Sequence, residues 1–309
     1  MSTWRPTAGP DMLRRRASLL RRIRHFFDHR KACEVQTPVL TAFGITDVNI
    51  ESLALAGNQG FLRTSPEYCH KRLLAAGFGD LYELGPVFRA GESGSWHRTE
   101  FTLLEWYRVG WDWKALAAEA VELIRGCRDG KQDPPVRWLG WHRAFAEAGI
   151  PDPLGCSLAS LRTLCPELEG DCDRDVLLDY LFATRIQASF PPDTVTVVHH
   201  YPASQAALAR LDPDNPDFAE RFEIFAGPVE LANGYRELTD ADAQRRRFEQ
   251  DNRRRTQLSR PPMPVDARLL SAMRDGLPDC SGVALGVDRL LMAICDATDI
   301  ATVQSFANG

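Results

Sequence analysis

No two cysteines in this chain have C-x-x-C spacing, which argues against a zinc ribbon. The eight that occur are Cys33, Cys69, Cys127, Cys156, Cys165, Cys172, Cys280 and Cys295. A chain of 309 residues that is 44% hydrophobic can build a core without disulfides, so free thiols in a reducing compartment are expected. No segment approaches the ~20 apolar residues of a membrane span. No apolar run follows Arg14, Arg15 and Arg16, which speaks against a signal peptide. A soluble, cytoplasmic protein with no membrane partner is the expectation. Basic excess is missing too: the net charge is −5 with 26% charged residues, unlike a general nucleic-acid binder. Internal repeats and low-complexity tracts are also lacking.

What is present alternates between helix and strand signals. Leu13, Ala17, Leu20, Arg24 and Phe27 recur at helical spacing behind Asp11, an N-cap candidate, and the arginines between them read as a solvated face. Val35 to Leu40 is extended but broken by Pro38. Thr64-Ser65-Pro66 reads as a helix start, with Ser65 as cap, Pro66 at the first helical position and Gly77 as the close. Leu81 to Arg89, a Gly/Ser loop and Phe101 to Val109 read as a hairpin. Trp111 to Arg128 is helical and ends in the Gly130 to Pro135 region. Residues 131–195 are read as a largely helical insertion carrying an acidic patch (Glu167, Glu169, Asp171, Asp173, Asp175). Val195 to Val198 and Phe222 to Leu231 are strands, and Asp240 to Gln257 is a charged helix. From Gly282 a small-residue strand leads into an apolar helix. The mix implies an α+β domain on a mostly antiparallel sheet.

Three separated segments carry chemistry. The first is the helix holding Arg24-His25-Phe26-Phe27, followed by Glu34-Val35-Gln36-Thr37-Pro38-Val39-Leu40. The second is Phe88-Arg89, the glycine-rich loop, and Glu100-Phe101-Thr102-Leu103-Leu104-Glu105-Trp106-Tyr107. An arginine at a strand end beside a loop can grip a phosphate bidentately. The third is Gly282-Val283-Ala284-Leu285-Gly286-Val287-Asp288-Arg289-Leu290. Small residues at alternate positions leave one strand face open to a planar base, and Arg289 follows at a helix start, where anions are favoured.

In this order the three segments resemble motifs 1, 2 and 3 of class II aminoacyl-tRNA synthetases. The resemblance spans almost the whole chain and is closest to the lysyl branch, through Thr64-Ser65-Pro66-Glu67-Tyr68 and Glu230-Leu231-Ala232-Asn233-Gly234-Tyr235-Arg236-Glu237-Leu238. Within that branch it is nearest to the stand-alone elongation factor P–(R)-β-lysine ligase family. Glu105-Trp106-Tyr107-Arg108, Tyr201-Pro202-Ala203-Ser204-Gln205 and Leu277-Pro278-Asp279-Cys280-Ser281-Gly282-Val283-Ala284-Leu285-Gly286 carry that likeness. The resemblance implies a six-stranded antiparallel sheet flanked by helices, a homodimer formed through motif 1 and Pro38, and a single catalytic domain over residues 1–309. It implies activation of (R)-β-lysine by ATP with Mg2+, and transfer of the acyl group to a lysine of elongation factor P.

By the same resemblance, Arg89 holds the α-phosphate and the carboxylate, and Arg289 the γ-phosphate. Ala90, Gly91, Glu230, Leu231 and Gly286 complete the ATP site, and Glu230 and Glu237 are the metal candidates. Glu67, Tyr107 and Glu237, walled by Ser65 and Pro66, face the substrate's ammonium groups. His97, His199 and His200 are read as structural. Two departures stand out. Ala90 and Gly91 replace the Asn and Glu that follow the motif 2 arginine in the lysyl branch, and Arg98-Thr99 replaces an Asn-Pro pair. Ala232 and Ala284 stand where lysyl-tRNA synthetases usually have Gly, which biases the pocket away from α-lysine. Motif 1 begins within the first 40 residues, leaving no room for an anticodon-reading domain, so tRNA is not the expected acceptor. The alternatives are a tRNA-charging or asparagine-synthetase-like ligase on the same core, and a non-catalytic regulatory paralogue. The presence of Arg89, Arg289, Glu230 and Glu237 weighs against the last.

Overall fold

Helix α1 (Pro10–His29) opens the chain, with Gly9 rather than Asp11 as its N-cap. Pro10 suits the first helical position because its missing N–H would have no partner there. The buried stripe is Leu19, Ile23 and Phe27, while Arg24 turns outward to pair with Glu34 at 3.0 Å. Of the expected stripe, Phe27 is buried and stacks on Tyr82 with ring centroids 4.4 Å apart, and Leu20 packs half-buried against the same core. In the computed structural model, residues 4–128, 132–170 and 172–307 are described. The expectations at Gly130 and Asp171 fall outside them.

Short strands follow: β1 (Cys33–Glu34), β2 (Leu40–Thr41), β3 (Leu53–Ala54) and β4 (Phe61–Leu62), the last three forming a small antiparallel sheet. The segment around Pro38 lies between strands rather than in one. Helix α2 (Glu67–Ala75) starts one residue later than expected, with Pro66 as N-cap; the Ser65 hydroxyl accepts from the Glu67 N–H at 3.0 Å. Gly77 closes it in the left-handed region, φ +80°. Strands β5 (Leu81–Phe88) and β6 (Glu100–Val109) form the expected hairpin, from Leu81↔Tyr107 to Phe88↔Glu100. Helix α3 (Trp113–Gly126) is capped by Asp112, which accepts from the Ala115 N–H at 2.8 Å.

The stretch read as an insertion contains β7 (Val136–Gly140), α4 (Trp141–Glu147), α5 (Leu158–Thr163) and α6 (Arg174–Leu181). Then come β8 (Val195–Pro202), β9 (Phe218–Ala226), β10 (Val229–Arg236), α7 (Ala241–Gln257), α8 (Ala267–Gly276), β11 (Cys280–Gly286) and α9 (Val287–Cys295). The single strand expected over Phe222 to Leu231 is in fact two, turned at Gly227 with φ +55°.

The main sheet runs β1-β5-β6-β11-β10-β9-β8-β7. Its six inner strands are antiparallel throughout, as expected. The sheet has eight strands rather than six because β1 and β7 add to the edges in parallel. Each covers an edge whose backbone groups would otherwise lack strand partners. One sheet face packs against α1, α3 and α9 through Leu104, Trp106, Val283, Leu285 and Ile224. The opposite face is polar along β6, β11, β10 and β9, and it forms the site.

Candidate active site

The strand register builds two rows across that face. Tyr107, Gly282, Tyr235 and Arg221 are successive cross-strand partners, and one pleat along lie Glu105, Ala284, Asn233 and Glu223. Period-two alternation places all eight side-chain positions on one face. They line a cavity of about 1060 Å³, roofed by the 45–50 segment, the start of α2, α6, α7 and the β5–β6 loop. The insertion thus supplies both an edge strand and a wall of the cavity.

One end of the cavity is acidic and buried. Lys71 Nζ lies 2.6 Å from Glu67 Oε1 and 2.6 Å from Glu237 Oε2, and the Tyr235 hydroxyl donates to Glu67 at 2.8 Å. Burial works against the Lys71 ammonium, but the two carboxylates outweigh it and raise its pKa. Burial pushes Glu237 up to about 8, against the pull of Lys71. Glu237 Oε1 is buried with no hydrogen-bond partner, close to the Gly282 backbone and the Tyr107 ring. The neighbouring Glu105 accepts from Ser65 at 2.6 Å and from the Tyr107 hydroxyl at 3.0 Å. His70 lies behind it, with Nδ1 3.3 Å from Glu105 and Nε2 3.0 Å from Glu83. Arg63 completes the chain, 2.6 Å from Glu83.

The other end carries the expected arginines. Arg289 donates to the carbonyls of Glu230 and Trp96, each at 3.2 Å, and lies 3.5 Å from the Glu230 carboxylate. Arg89 packs over the Phe101 ring at 5.1 Å, with Glu92 3.7 Å away, and its Nε is buried without a partner. Between the two ends, Arg221 donates to Glu223 at 2.6 Å and to Asn233 at 3.2 Å, and the Tyr201 hydroxyl donates to Glu223 at 2.6 Å. Burial raises the Glu223 pKa to about 7; Arg221 opposes this and the charge of Glu230 adds to it. A register shift between Glu230 and Ala232 accompanies the placement of Glu230 on the cavity wall.

Comparison with known proteins now decides the family. The model of tRNA synthetases class II (D, K and N) matches residues 3–309. The chain belongs to this class II synthetase family. Three similar curated relatives are all named elongation factor P–(R)-β-lysine ligase. The protein of Mannheimia succiniciproducens is 43% identical over 98% of this chain and 97% of its own length. That of Photorhabdus laumondii is 41% identical over 99% and 98%, and that of Yersinia pestis 40% over 99% and 97%.

Within this class II core the expected residues are mostly convergent. Ser65, Glu67, Arg89, Tyr107, Glu230, Leu231, Glu237, Gly286 and Arg289 all line the cavity. Pro66 does not; it lines a smaller neighbouring hollow of about 130 Å³ behind Ser65. Ala90 and Gly91 also lie off the cavity wall, and the Ala90 N–H already donates to the Glu51 carbonyl at 2.8 Å. Glu230 and Glu237 are not brought together. They stand at opposite ends of β10, about 20 Å apart at ~3.3 Å per residue, so one ion cannot bridge them. The carboxylate beside Glu230 is Glu223, which the sequence reading missed. Its signal was legible: Arg221 and Glu223 sit two apart in a strand whose one other charged residue is Glu220. His97 lines the cavity, its pKa lowered by burial and by Arg289. His199 and His200 lie outside it, Nδ1 to Nδ1 at 2.6 Å against Trp113; burial and then His200 hold the His199 pKa down at about 4. No helix is long and apolar enough to cross a membrane among the described residues.

Proposed function

We propose that this chain activates (R)-β-lysine with ATP and transfers the acyl group to the ε-amine of a lysine on elongation factor P. The observation that carries this reading is the polarity of one cavity: a buried carboxylate oxygen without a partner at one end, Glu237 Oε1, and guanidiniums at the other. A diamino acid fits that polarity, with a distal ammonium on Glu237 and Glu67 and its carboxylate toward Arg89. The printed names of the relatives support the same substrate and acceptor.

Adenylate formation needs no general base, because the attacking carboxylate is already ionised. One carboxylate oxygen bonds to the α-phosphorus as the bond to pyrophosphate breaks. Arg89 and Arg289 neutralise the phosphate charge and hold the reacting groups in line. The flat face at Gly286, where an added Cβ would be 3.9 Å from the nearest heavy atom, Arg289 Cβ, leaves room for the adenine. In the second step the acceptor amine nitrogen bonds to the acyl carbon, AMP leaves, and the amine gives up a proton. Glu223 and Glu230 fit Mg2+, which favours one or two carboxylates beside phosphate oxygens; it would screen phosphate charge when bound.

The reading includes a cytoplasmic homodimer, supported by the exposed Pro38 and the half-exposed Leu40 beside it. It also takes residues 1–309 as one catalytic domain that does not use tRNA. The test is ATP–pyrophosphate exchange with (R)-β-lysine and α-lysine, followed by mass measurement of elongation factor P and tRNA as acceptors. Exchange favouring β-lysine and a mass gain on the protein are expected. No exchange with either lysine overturns the activation reading, and charging of tRNA alone overturns the acceptor.

A further inference from the structure

The buried acidic end of the cavity forms one continuous set of charges whose members can be counted. Its carboxylates are four: Glu67, Glu83, Glu105 and Glu237. Its cations are three: Arg63, His70 and Lys71. His70, Lys71, Glu83, Glu105 and Glu237 are each less than 5% exposed, so water screens little of this charge. With all four carboxylates ionised the set is one positive charge short; without a ligand cation that deficit shows as the raised pKa of Glu237, whose Oε1, with neither a hydrogen bond nor an ion pair, faces the cavity beside Gly282 and Tyr107.

Other titratable groups touch this floor without altering the count. Tyr107 from β6 and Tyr235 from β10 stay neutral, since burial first and the carboxylates second raise their pKa values. The Cys280 thiol from β11 is raised by burial and then by Glu237. Arg247 from α7 donates to the carbonyls of Ala207 and Ala209, at 2.6 and 2.7 Å, and its charge is offset by its acidic neighbour Asp251. Burial opposes the His70 proton, but Glu105 and Glu83 on its two sides outweigh burial, raise its pKa and so favour the charged ring counted above. The same two carboxylates fix its ring. Glu105 in turn orients Ser65 and Tyr107.

We propose that His70 and Lys71 are positioning residues that keep the cavity floor one cation short, so that a single alkylammonium group of the substrate completes it. Neither residue lines the cavity. They act through Glu105, Glu67 and Glu237. Selectivity then comes from charge number as well as shape. A neutral side chain leaves Glu237 uncompensated, and a group with two charges overfills the floor. This rests on the reading that a diamino acid enters the cavity.

The test separates charge from contact with a compensating pair. Glu83→Gln removes a negative charge and balances the floor without ligand. His70→Met removes a positive charge and leaves it two short. The double variant H70M/E83Q restores the deficit of one. Two readouts are used: the KM for (R)-β-lysine in pyrophosphate exchange, and the thermal shift caused by n-butylammonium, which reports the floor alone. Each single variant is expected to raise KM at least about tenfold, the order set by an uncompensated buried charge, with kcat changed much less. The double variant is expected to return KM to within about threefold of wild type and to regain the butylammonium shift that Glu83→Gln loses. Glu83→Gln preserves side-chain shape, so it reads the charge even where His70→Met fails to fold. An unchanged KM and butylammonium shift in Glu83→Gln, or a double variant no better than the worse single, overturns the proposal. Failure of wild type to exchange β-lysine overturns the proposed function instead, and the butylammonium series still decides this one.

Discussion

Gly282 and Gly286 are two residues of the same strand whose replacement by alanine should have opposite consequences. At Gly282 a Cβ would come within 2.3 Å of Tyr107 Cε1 and 2.6 Å of Glu237 Oε1. Neither neighbour is free to yield. The Tyr107 ring packs edge-on to His70 at 5.5 Å and its hydroxyl is bound to Glu105, while Glu237 is pinned by Lys71. Overpacking of this kind costs about 1–3 kcal/mol. With ~2.1 cal/mol/K per residue of unfolding entropy, that lowers Tm by roughly 2–5 °C for a chain of this length. At Gly286 the nearest heavy atoms to a Cβ are those of Arg289 at 3.9 Å, so Tm should not move. Both variants are measured by thermal unfolding and by pyrophosphate exchange with the amino acid and ATP varied separately. Gly282→Ala should raise KM for the amino acid, and Gly286→Ala should raise KM for ATP only. Wild-type Tm and amino-acid KM in Gly282→Ala, or a larger Tm loss in Gly286→Ala, would refute the assignment of the two ends of the cavity.

Arg289→Ala should abolish pyrophosphate exchange while leaving the association state unchanged; measurable exchange would refute its phosphate role. Asp288, 1% exposed, accepts from Arg16 at 2.7 Å and from the Thr102 N–H at 2.7 Å, so Asp288→Ala strands both donors. A loss of about 3–5 kcal/mol is expected, read by denaturant titration, and a loss under about 1 kcal/mol would sink the account. Burial opposes ionisation of Glu83, but His70, Arg63 and Thr37 outweigh it and hold its pKa at about 2, below the usual 4.5. Its contribution is therefore complete above pH ~4.5 and lost as pH falls toward 2, about 3 kcal/mol in all. Glu83→Gln should flatten that part of the acid-unfolding profile. Glu237→Gln should raise the KM for β-lysine about tenfold or more, as removal of one partner of a buried ion contact does.

The binding residues that were legible in the sequence share a local signature. Arg89 and Arg289 follow directly from a strand end and a helix start, and Gly282, Ala284 and Gly286 from period-two alternation of small residues. The β5–β6 hairpin and α7 behind its Asp240 cap are likewise set by neighbours in the chain. The illegible part is cross-strand. Alternation says that Glu223 faces with Arg221, but not that β9 lies beside β10 with Glu223 near Glu230. The same limit made Glu230 and Glu237 look like a pair, because seven residues are short in sequence and about 20 Å along a strand. His70 and Lys71 gave no signal either, since an ammonium in a helix reads as a surface charge until its neighbours are known.

The sequence by itself determined the local elements, the order of the three motifs and the position of the two arginines proposed to meet phosphate, because propensity, capping and alternation act within a few residues. Tertiary structure alone decided the two parallel edge strands, the rows across the sheet and the buried charge count. Those depend on contacts between residues far apart in the chain, such as Lys71 and Glu237, whose ion pair joins α2 to the end of β10. No periodicity encodes which strand will lie beside which.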